Sequence, residues 1–357
     1  MNAASTGPMP QRSIAAVNAF TSQRAQPQHL TFEHQFGALD ESRGLIGRLI
    51  NAEPTDIALT TNTGAGINLA AWGLPLGHGD EVVVSDGEFP ANMYPWIAAS
   101  NARGFALHVV PLQDGVIDND AVLASLDRQG VRLLSVSWVG FSSGAVADLD
   151  RLGAACRARG ILFVVDGIQG LVGLSLDVSK TPVDMFACGG QKWLLAPWGT
   201  GFTYVHRSVL PLITPQPVSW MAVRDSDDFS RLANYDLTWR DDARRFEQVT
   251  LPYQDFVGLV VSLGFIHELG AADVAAHIHS CAERLLLGAR ELGIPSVTPL
   301  ECHGGIASLR PRNALEASRR LELARVIHSV REGTIRLAPH CYTSDEDIAI
   351  TLHALRG

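Results

Sequence analysis

Ile161-Leu162-Phe163-Val164-Val165-Asp166-Gly167-Ile168-Gln169 is followed, after a short connection, by Met185-Phe186-Ala187-Cys188-Gly189-Gly190-Gln191-Lys192-Trp193-Leu194-Leu195. Each stretch begins as an unbroken apolar run, the pattern of a strand covered on both faces. The first run ends in a carboxylate, Asp166, and the second leads through a glycine pair to Lys192. A lysine and a carboxylate delivered to the ends of neighbouring core strands are costly to bury unless something there uses them. The plain rivals are a surface lysine beside a core strand, because lysine is usually exposed, and an aspartate that merely caps the next helix.

Outward from this pair, β-branched runs alternate with helical stretches. Strands are expected at Ile57 to Thr60, Glu81 to Ser85, Ala106 to Val110, Leu133 to Trp138, Ile161 to Val165 and Gly201 to Val205. Helices are expected at Gly66 to Trp72, Tyr94 to Ala99 and Leu149 to Arg159. This alternation predicts βαβ units and a mostly parallel sheet, whose ligands bind at the carboxyl ends of the strands. Beyond about residue 240 the periodicity lengthens. Helices are expected at Phe256 to Leu269, Ala271 to Leu292 and Leu315 to His328, and strands at Gly304 to Leu309 and Gly333 to Leu337. The fold class expected is therefore α/β, with a large parallel-sheet domain over residues 15–240. Residues 241–357, joined by 1–14, form a smaller α+β domain, and Ile213 to Asp242 is a long connection with little regular structure.

The chain has 357 residues, 46% apolar and 18% charged, a globular composition large enough for two domains. Its formal net charge of −9 argues against a nucleic-acid or anionic-membrane surface. No apolar run is long enough to span a membrane, and no signal peptide is legible. Cys156, Cys188, Cys281, Cys302 and Cys341 are scattered, without a Cys-x-x-Cys pair. That suits reduced thiols in the cytoplasm and predicts no metal site.

Pyridoxal 5′-phosphate (PLP) uses both members of the opening pair: the lysine as a Schiff base to its aldehyde, the carboxylate as partner to its pyridinium nitrogen. Thr61-Asn62-Thr63-Gly64-Ala65-Gly66, between a strand and a helix, reads in isolation first as a plain glycine-rich turn; in company with Asp166 and Lys192 it reads as free backbone N–H groups offered to a phosphate. P-loop and dinucleotide fingerprints are absent.

Around these residues the chain resembles the class V aminotransferase family of fold-type-I PLP enzymes. The resemblance runs nearly end to end. It is carried by Asn2 to Pro8, Thr61 to Gly64, Glu88-Phe89-Pro90-Ala91-Asn92, Asp166 to Gln169, Gly190 to Gly201 and Ile335 to Tyr342. It implies Lys192 as the catalytic Schiff-base lysine and Asp166, Gln169, Thr63, Gly64, Phe89 and Gln191 as cofactor contacts. It also implies Arg336 and Asn92 as substrate contacts, and Thr250 as a residue reaching the phosphate of a neighbouring subunit in a homodimer. Where many relatives carry serine and histidine near the lysine this chain has Gly189 and Gln191, and Gly64 replaces a frequent threonine. The expected phosphate contacts therefore shift onto backbone N–H groups, Thr63, Gln191 and Thr250. Phe141 stands where several relatives have asparagine; with Trp96, Trp138 and Trp198 it either lines an aromatic pocket for a bulky substrate or belongs to the core.

A persulfide-forming desulfurase needs a cysteine just before the carboxylate-binding segment, and His328-Ser329-Val330-Arg331-Glu332-Gly333-Thr334 has none. The expected activity on an α-amino acid is therefore β-elimination of the C–S type or epimerisation. Transamination, or a cofactor-free binding module, is the alternative.

Overall fold

β-branched and aromatic runs too short to be helices, separated by amphipathic segments with defined caps, set the element order. The computed structural model describes residues 1–356, the side chain of Asn234 aside. Two N-terminal helices, α1 (Gln11–Gln23) and α2 (Phe32–Ile50), precede the first unit, β1 (Ile57–Thr60) and α3 (Thr63–Gly73). The chain continues through β2 (Glu81–Ser85), α4 (Tyr94–Arg103), β3 (Ala106–Val110), α5 (Asn119–Ser125), β4 (Val131–Ser137) and α6 (Leu149–Arg159). Then come β5 (Leu162–Asp166), β6 (Met185–Gly189) and β7 (Gly201–Val205). After the long connection follow α7 (Tyr253–Leu269), α8 (Ala271–Glu291), β8 (Ala307–Leu309), α9 (Ala314–Leu323), β9 (Ser329–Arg331), β10 (Thr334–Leu337) and α10 (Asp345–Leu355).

β1 to β7 form one sheet in the order β1-β7-β6-β5-β4-β2-β3. The neighbours from β3 to β6 run parallel, and β7 is antiparallel to both β6 and β1. Every residue of β6 and β7 is buried, as expected of strands with helices on both faces. The register sets Ser137 opposite Asp166, Asp166 opposite Ala187, Gly189 opposite Gly201, and Gly201 opposite Thr60. One edge of the sheet thus gathers the C-terminal ends of β4, β5, β6 and β1, with Lys192 just beyond.

Local chemistry fixes the helix ends. The Asn62 side chain accepts from Ala65 N–H at 3.0 Å and starts α3; Asp148 does the same for α6 through Arg151 N–H, and Gly160 closes α6 in a left-handed conformation. Gly66 lets α3 lie tightly on the sheet: a Cβ there would collide with the Thr203 hydroxyl and stand 2.7 Å from Ala187 Cβ.

The second sheet, β8-β10-β9, is antiparallel. Ile335, Leu337 and Leu309 pack on Leu285, Leu286, Leu321 and Ile348 of the surrounding helices. Three departures from the sequence reading stand out. α1 and α2 were not foreseen. α9 stops at Leu323 rather than running to 328, with Arg325 left-handed (φ 59°) and β9 taking up the following residues. β9 itself was not foreseen; elsewhere α7 packs against α1 and α2, and the chain bends by 80° between α7 and α8. Among the described residues the 213–242 connection holds only single helical turns and one bridge, Val223 to Trp239. No single helix is long and apolar enough to cross a membrane.

Candidate active site

Asp166 is the last residue of β5 and is buried. One of its oxygens accepts from Ile168 N–H at 3.0 Å; burial pushes its carboxyl up to about 6, against that hydrogen bond and the Lys192 charge. Lys192 sits in the turn after β6. Burial pulls its ammonium down to about 8; Asp166 opposes this, and the Arg336 and Arg331 cations add to it. Lys192 Nζ lies 5.5 Å from the centroid of the Phe89 ring, which meets Phe141 edge-to-face at 5.3 Å. β5, the turn after β6 and the loop after β2 thus bring amine, carboxylate and aromatic face together.

Arg336 points from β10 into the same space and is almost wholly buried. It donates to the Phe141 carbonyl and to Ser5 Oγ, both at 2.7 Å, while its Nε has no partner. Burial, with Arg331 beside it, lowers its pKa to about 10. Among the described residues no carboxylate pairs with it, and a buried guanidinium held only by neutral acceptors is short of an anion.

Thr63 is buried at the first turn of α3, and its hydroxyl accepts from Gly189 N–H at 3.0 Å, leaving its own proton to donate. Gly64 follows in that turn, where a Cβ would stand 3.2 Å from Asn62 Oδ1 and 3.9 Å from Ala91 Cβ. The Gln191 side-chain oxygen and Thr203 Oγ1 are buried without partners. Gln169 donates to the Ala4 carbonyl and accepts from Trp193 Nε1, both at 3.0 Å, which leaves one amide N–H free. Thr250 is exposed and touches none of this group.

Asn92 needs correcting. Expected to contact substrate, it is fully enclosed, and both ends of its amide are used. It donates to Glu88 at 2.9 Å and accepts from Ser135 Oγ at 2.9 Å and Trp96 Nε1 at 3.4 Å. Its place is under the Phe89 loop, which it ties to β4. Trp96 and Trp138 are likewise core, so only Phe141 and the exposed Trp198 remain of the expected aromatic pocket.

Sequence reasoning missed Glu88. The residue is partly exposed, but its carboxyl end lies deep among protein atoms and takes hydrogen bonds from Ser137 N–H at 2.7 Å, Ser137 Oγ and Asn92. Burial lifts it to about 7, with its hydrogen bonds opposing and Asp166 contributing. The only available signal was an acid directly beside Phe89 in the loop after β2. His340 was also missed: its Nε2 faces the Trp193 carbonyl at 3.0 Å, and Nδ1 accepts from Cys341 N–H at 2.8 Å, so the neutral ring braces the Lys192 turn.

These residues fit PLP. Unpartnered Gln191 and Thr203, the free Thr63 proton and the start of α3 offer a cradle for a phosphate. The second Asp166 oxygen and the depressed Lys192 amine match a pyridine nitrogen and an aldehyde. The described residues contain no cluster suited to a metal ion.

Comparison with known proteins agrees. Residues 1–348 match the aminotransferase class-V family model. The chain is 31% identical to isopenicillin N epimerase of Streptomyces clavuligerus, over 100% of this chain and 94% of the relative. It is 27% identical to a probable cysteine desulfurase of Pyrococcus abyssi, over 88% and 82%. Among solved structures, the cystine C–S lyase C-DES in complex with its product cysteine persulfide superposes with a TM-score of 0.89 at 24% identity, over 99% of this chain and 96% of that one.

Proposed function

From the premise that this chain belongs to the class-V aminotransferase family and is a PLP-dependent enzyme, we propose that it is a lyase of the β-eliminating, C–S type or an epimerase acting on an α-amino acid. The observation that carries this reading is Arg336, buried, unpaired by any acid and set beside an amine of depressed pKa. Arg336 would grip the α-carboxylate, leaving Cα within reach of Lys192. An amine with a pKa of about 8 is substantially neutral at slightly basic pH, so Lys192 can take the Cα proton and return it. Bound PLP supplies the electron sink for the charge left at Cα. Asp166 would hold its ring nitrogen, Phe89 its face, and Thr63, Gly64 and Gln191 its phosphate.

Persulfide chemistry on a protein thiol is disfavoured by β9 and β10. Glu332 and Gly333, at φ 45° and 74°, close a two-residue turn between them, which leaves no long loop and no cysteine. The exposed Thr250 supports a homodimer in which a second copy completes the phosphate contacts.

The test is the visible absorbance of purified protein and of Lys192→Ala, before and after borohydride, followed by amino-acid screening. A band fixed by reduction in the parent alone, with release of pyruvate or exchange of the Cα proton, is expected. A protein that PLP cannot colour overturns the reading, and keto-acid release with amino-group transfer replaces it with transamination.

A further inference from the structure

The β9–β10 hairpin carries a second arginine that the site so far leaves unused. Its register pairs Thr334 with Arg331, Ile335 with Val330 and Arg336 with Ser329. Side chains alternate along a strand and directly paired residues share a face. Ile335, Leu337 and Val330 therefore turn towards the helices of the second domain, as their packing confirms. Arg336, Thr334, Ser329 and Arg331 share the opposite, polar face. Two of them are visibly tied together there: Ser5 Oγ receives Arg336 and lies 3.0 Å from Ser329 Oγ. Arg331 is the diagonal neighbour of Arg336, with Cα atoms about 7–8 Å apart in such a ladder.

Arg331 is exposed, and its only hydrogen bond is to the carbonyl of its own neighbour, Val330. Among the described residues no carboxylate pairs with it, in a chain whose net charge is −9 and whose other exposed arginines are often paired. Its charge nevertheless reaches the site, because it is one of the causes that lower both Lys192 and Arg336. Two guanidinium groups thus lie on one face, one deep and one at the rim, with no protein anion for either. The turn between Arg331 and Thr334 is only Glu332-Gly333, which keeps the rim arginine from swinging away with a loop.

We infer that Arg331 determines specificity by receiving a second anionic group, a carboxylate on the substrate side chain, so that the enzyme's substrates are amino acids acidic at both ends. This rests on Arg336 taking the α-carboxylate. The small number of surviving pocket aromatics fits the same assignment, since Trp96 and Trp138 are core and an apolar side chain would find little to line its path.

The test measures binding rather than turnover. Calorimetric titration of the PLP-loaded protein with succinate, glutarate and adipate is compared with butyrate, pentanoate and hexanoate, in wild type, Arg331→Gln, Arg331→Lys and Arg336→Gln. At least one diacid should bind about tenfold more tightly than the monoacid of equal length, as a charge-assisted guanidinium contact warrants. Arg331→Gln should erase that preference, weakening each diacid far more than the monoacid of equal length, and Arg331→Lys should restore part of it. Equal binding of diacids and monoacids to wild type, or a preference that survives Arg331→Gln, overturns the proposal alone. Monoacid binding that is absent, or indifferent to Arg336→Gln, overturns the α-carboxylate reading and this one with it. A melting curve for each variant separates these results from misfolding.

Discussion

Glu88→Gln should destabilise the cofactor-free protein by an amount that depends on pH in a defined direction. The Glu88 carboxyl is held at about 7 against an ordinary 4.5. Its folded pKa is raised, so the folded chain binds the proton more tightly than the unfolded one. The stability this provides is complete below about 4.5 and is lost as pH rises through 7. Between about pH 6 and about pH 8 the loss is roughly 1.3 kcal/mol, one decade of proton binding in the native state with almost none in the unfolded chain. Total stability will not display this cleanly. His303 and His340, both lowered to about 4 chiefly by burial, move stability the opposite way as pH falls through the ordinary histidine range. Comparing the variant with the parent cancels them. Glutamine keeps the shape, but its NH2 would face the Asn92 NH2 or leave a Ser137 group without an acceptor, a cost that pH does not change. The penalty of Glu88→Gln should therefore shrink by roughly 1.3 kcal/mol from about pH 6 to about pH 8, close to 2 °C in the Tm difference for a chain of this size. Melting both proteins at the two pH values checks it. A penalty that stays flat, or grows with pH, would falsify the claim that Glu88 is a protonatable carboxyl in the folded state.

Further outcomes follow from the same geometry. In the cofactor-free protein Lys192 should be acylated half-maximally near pH 8, while Lys180, the chain's other lysine, exposed and raised by its Asp177 partner, responds only at higher pH, as peptide mass spectrometry against pH can show; labelling of Lys192 that tracks Lys180 refutes its depressed pKa. Glu247→Ala should cost about 3 kcal/mol in chemical denaturation, because it leaves the buried Arg43 guanidinium, bonded to Glu247 at 2.6 and 2.9 Å, with Asp40 alone and strands the Leu59 N–H that donates to Glu247 at 2.9 Å. Gly66→Ala should cost about 1–3 kcal/mol by forcing α3 off Thr203 and Ala187, and Thr203→Ala in the same chain should recover part of it, since the Thr203 hydroxyl has no partner to lose. If the double variant melts below the single one, the collision is not the cause.

What was legible in the sequence was whatever a single strand or turn decides. The apolar runs ending in Asp166 and leading to Lys192 named two adjacent strands, and the glycines before Lys192 marked where the backbone must pass close. The absence of cysteine before Arg336 was also visible residue by residue. What escaped depends on partners distant in sequence. Asn92 looks like a site residue because it follows Phe89, yet Ser135 and Trp96 complete its amide and turn it into a brace. Glu88 looks like a solvated loop acid until Ser137, on β4, closes over it. α1 and α2 went unread although Ile14, Val17 and Phe20, and Phe36, Leu39, Ile46 and Ile50, recur at helical spacing, and it is α7 that supplies the face they cover. β9 went unread between the helix expected to 328 and the strand expected from 333, because Arg325 ends the helix early in a left-handed conformation that its side chain does not advertise.

At this edge of the sheet the chain carries Lys192, Arg336 and Arg331 as cations, two of them lowered by burial, and Asp166 and Glu88 as carboxyls lifted by it. The shifts of Lys192, Arg336, Asp166 and Glu88 all favour the neutral form, so none of these four groups is adequately solvated or paired by the protein alone. A site built only for stability would have joined them, as Arg43 and Glu247 are joined under β1. Here the cations and acids stay apart, separated by an open aromatic face at Phe89 that is 44% exposed. The missing charges are those a phosphate, a protonated pyridine and a substrate carboxylate bring. Ligands that supply them bind the folded chain alone and stabilise it by mass action. The strain that makes Lys192 a usable base near neutral pH and the strain that lowers the stability of the empty protein are therefore the same quantity.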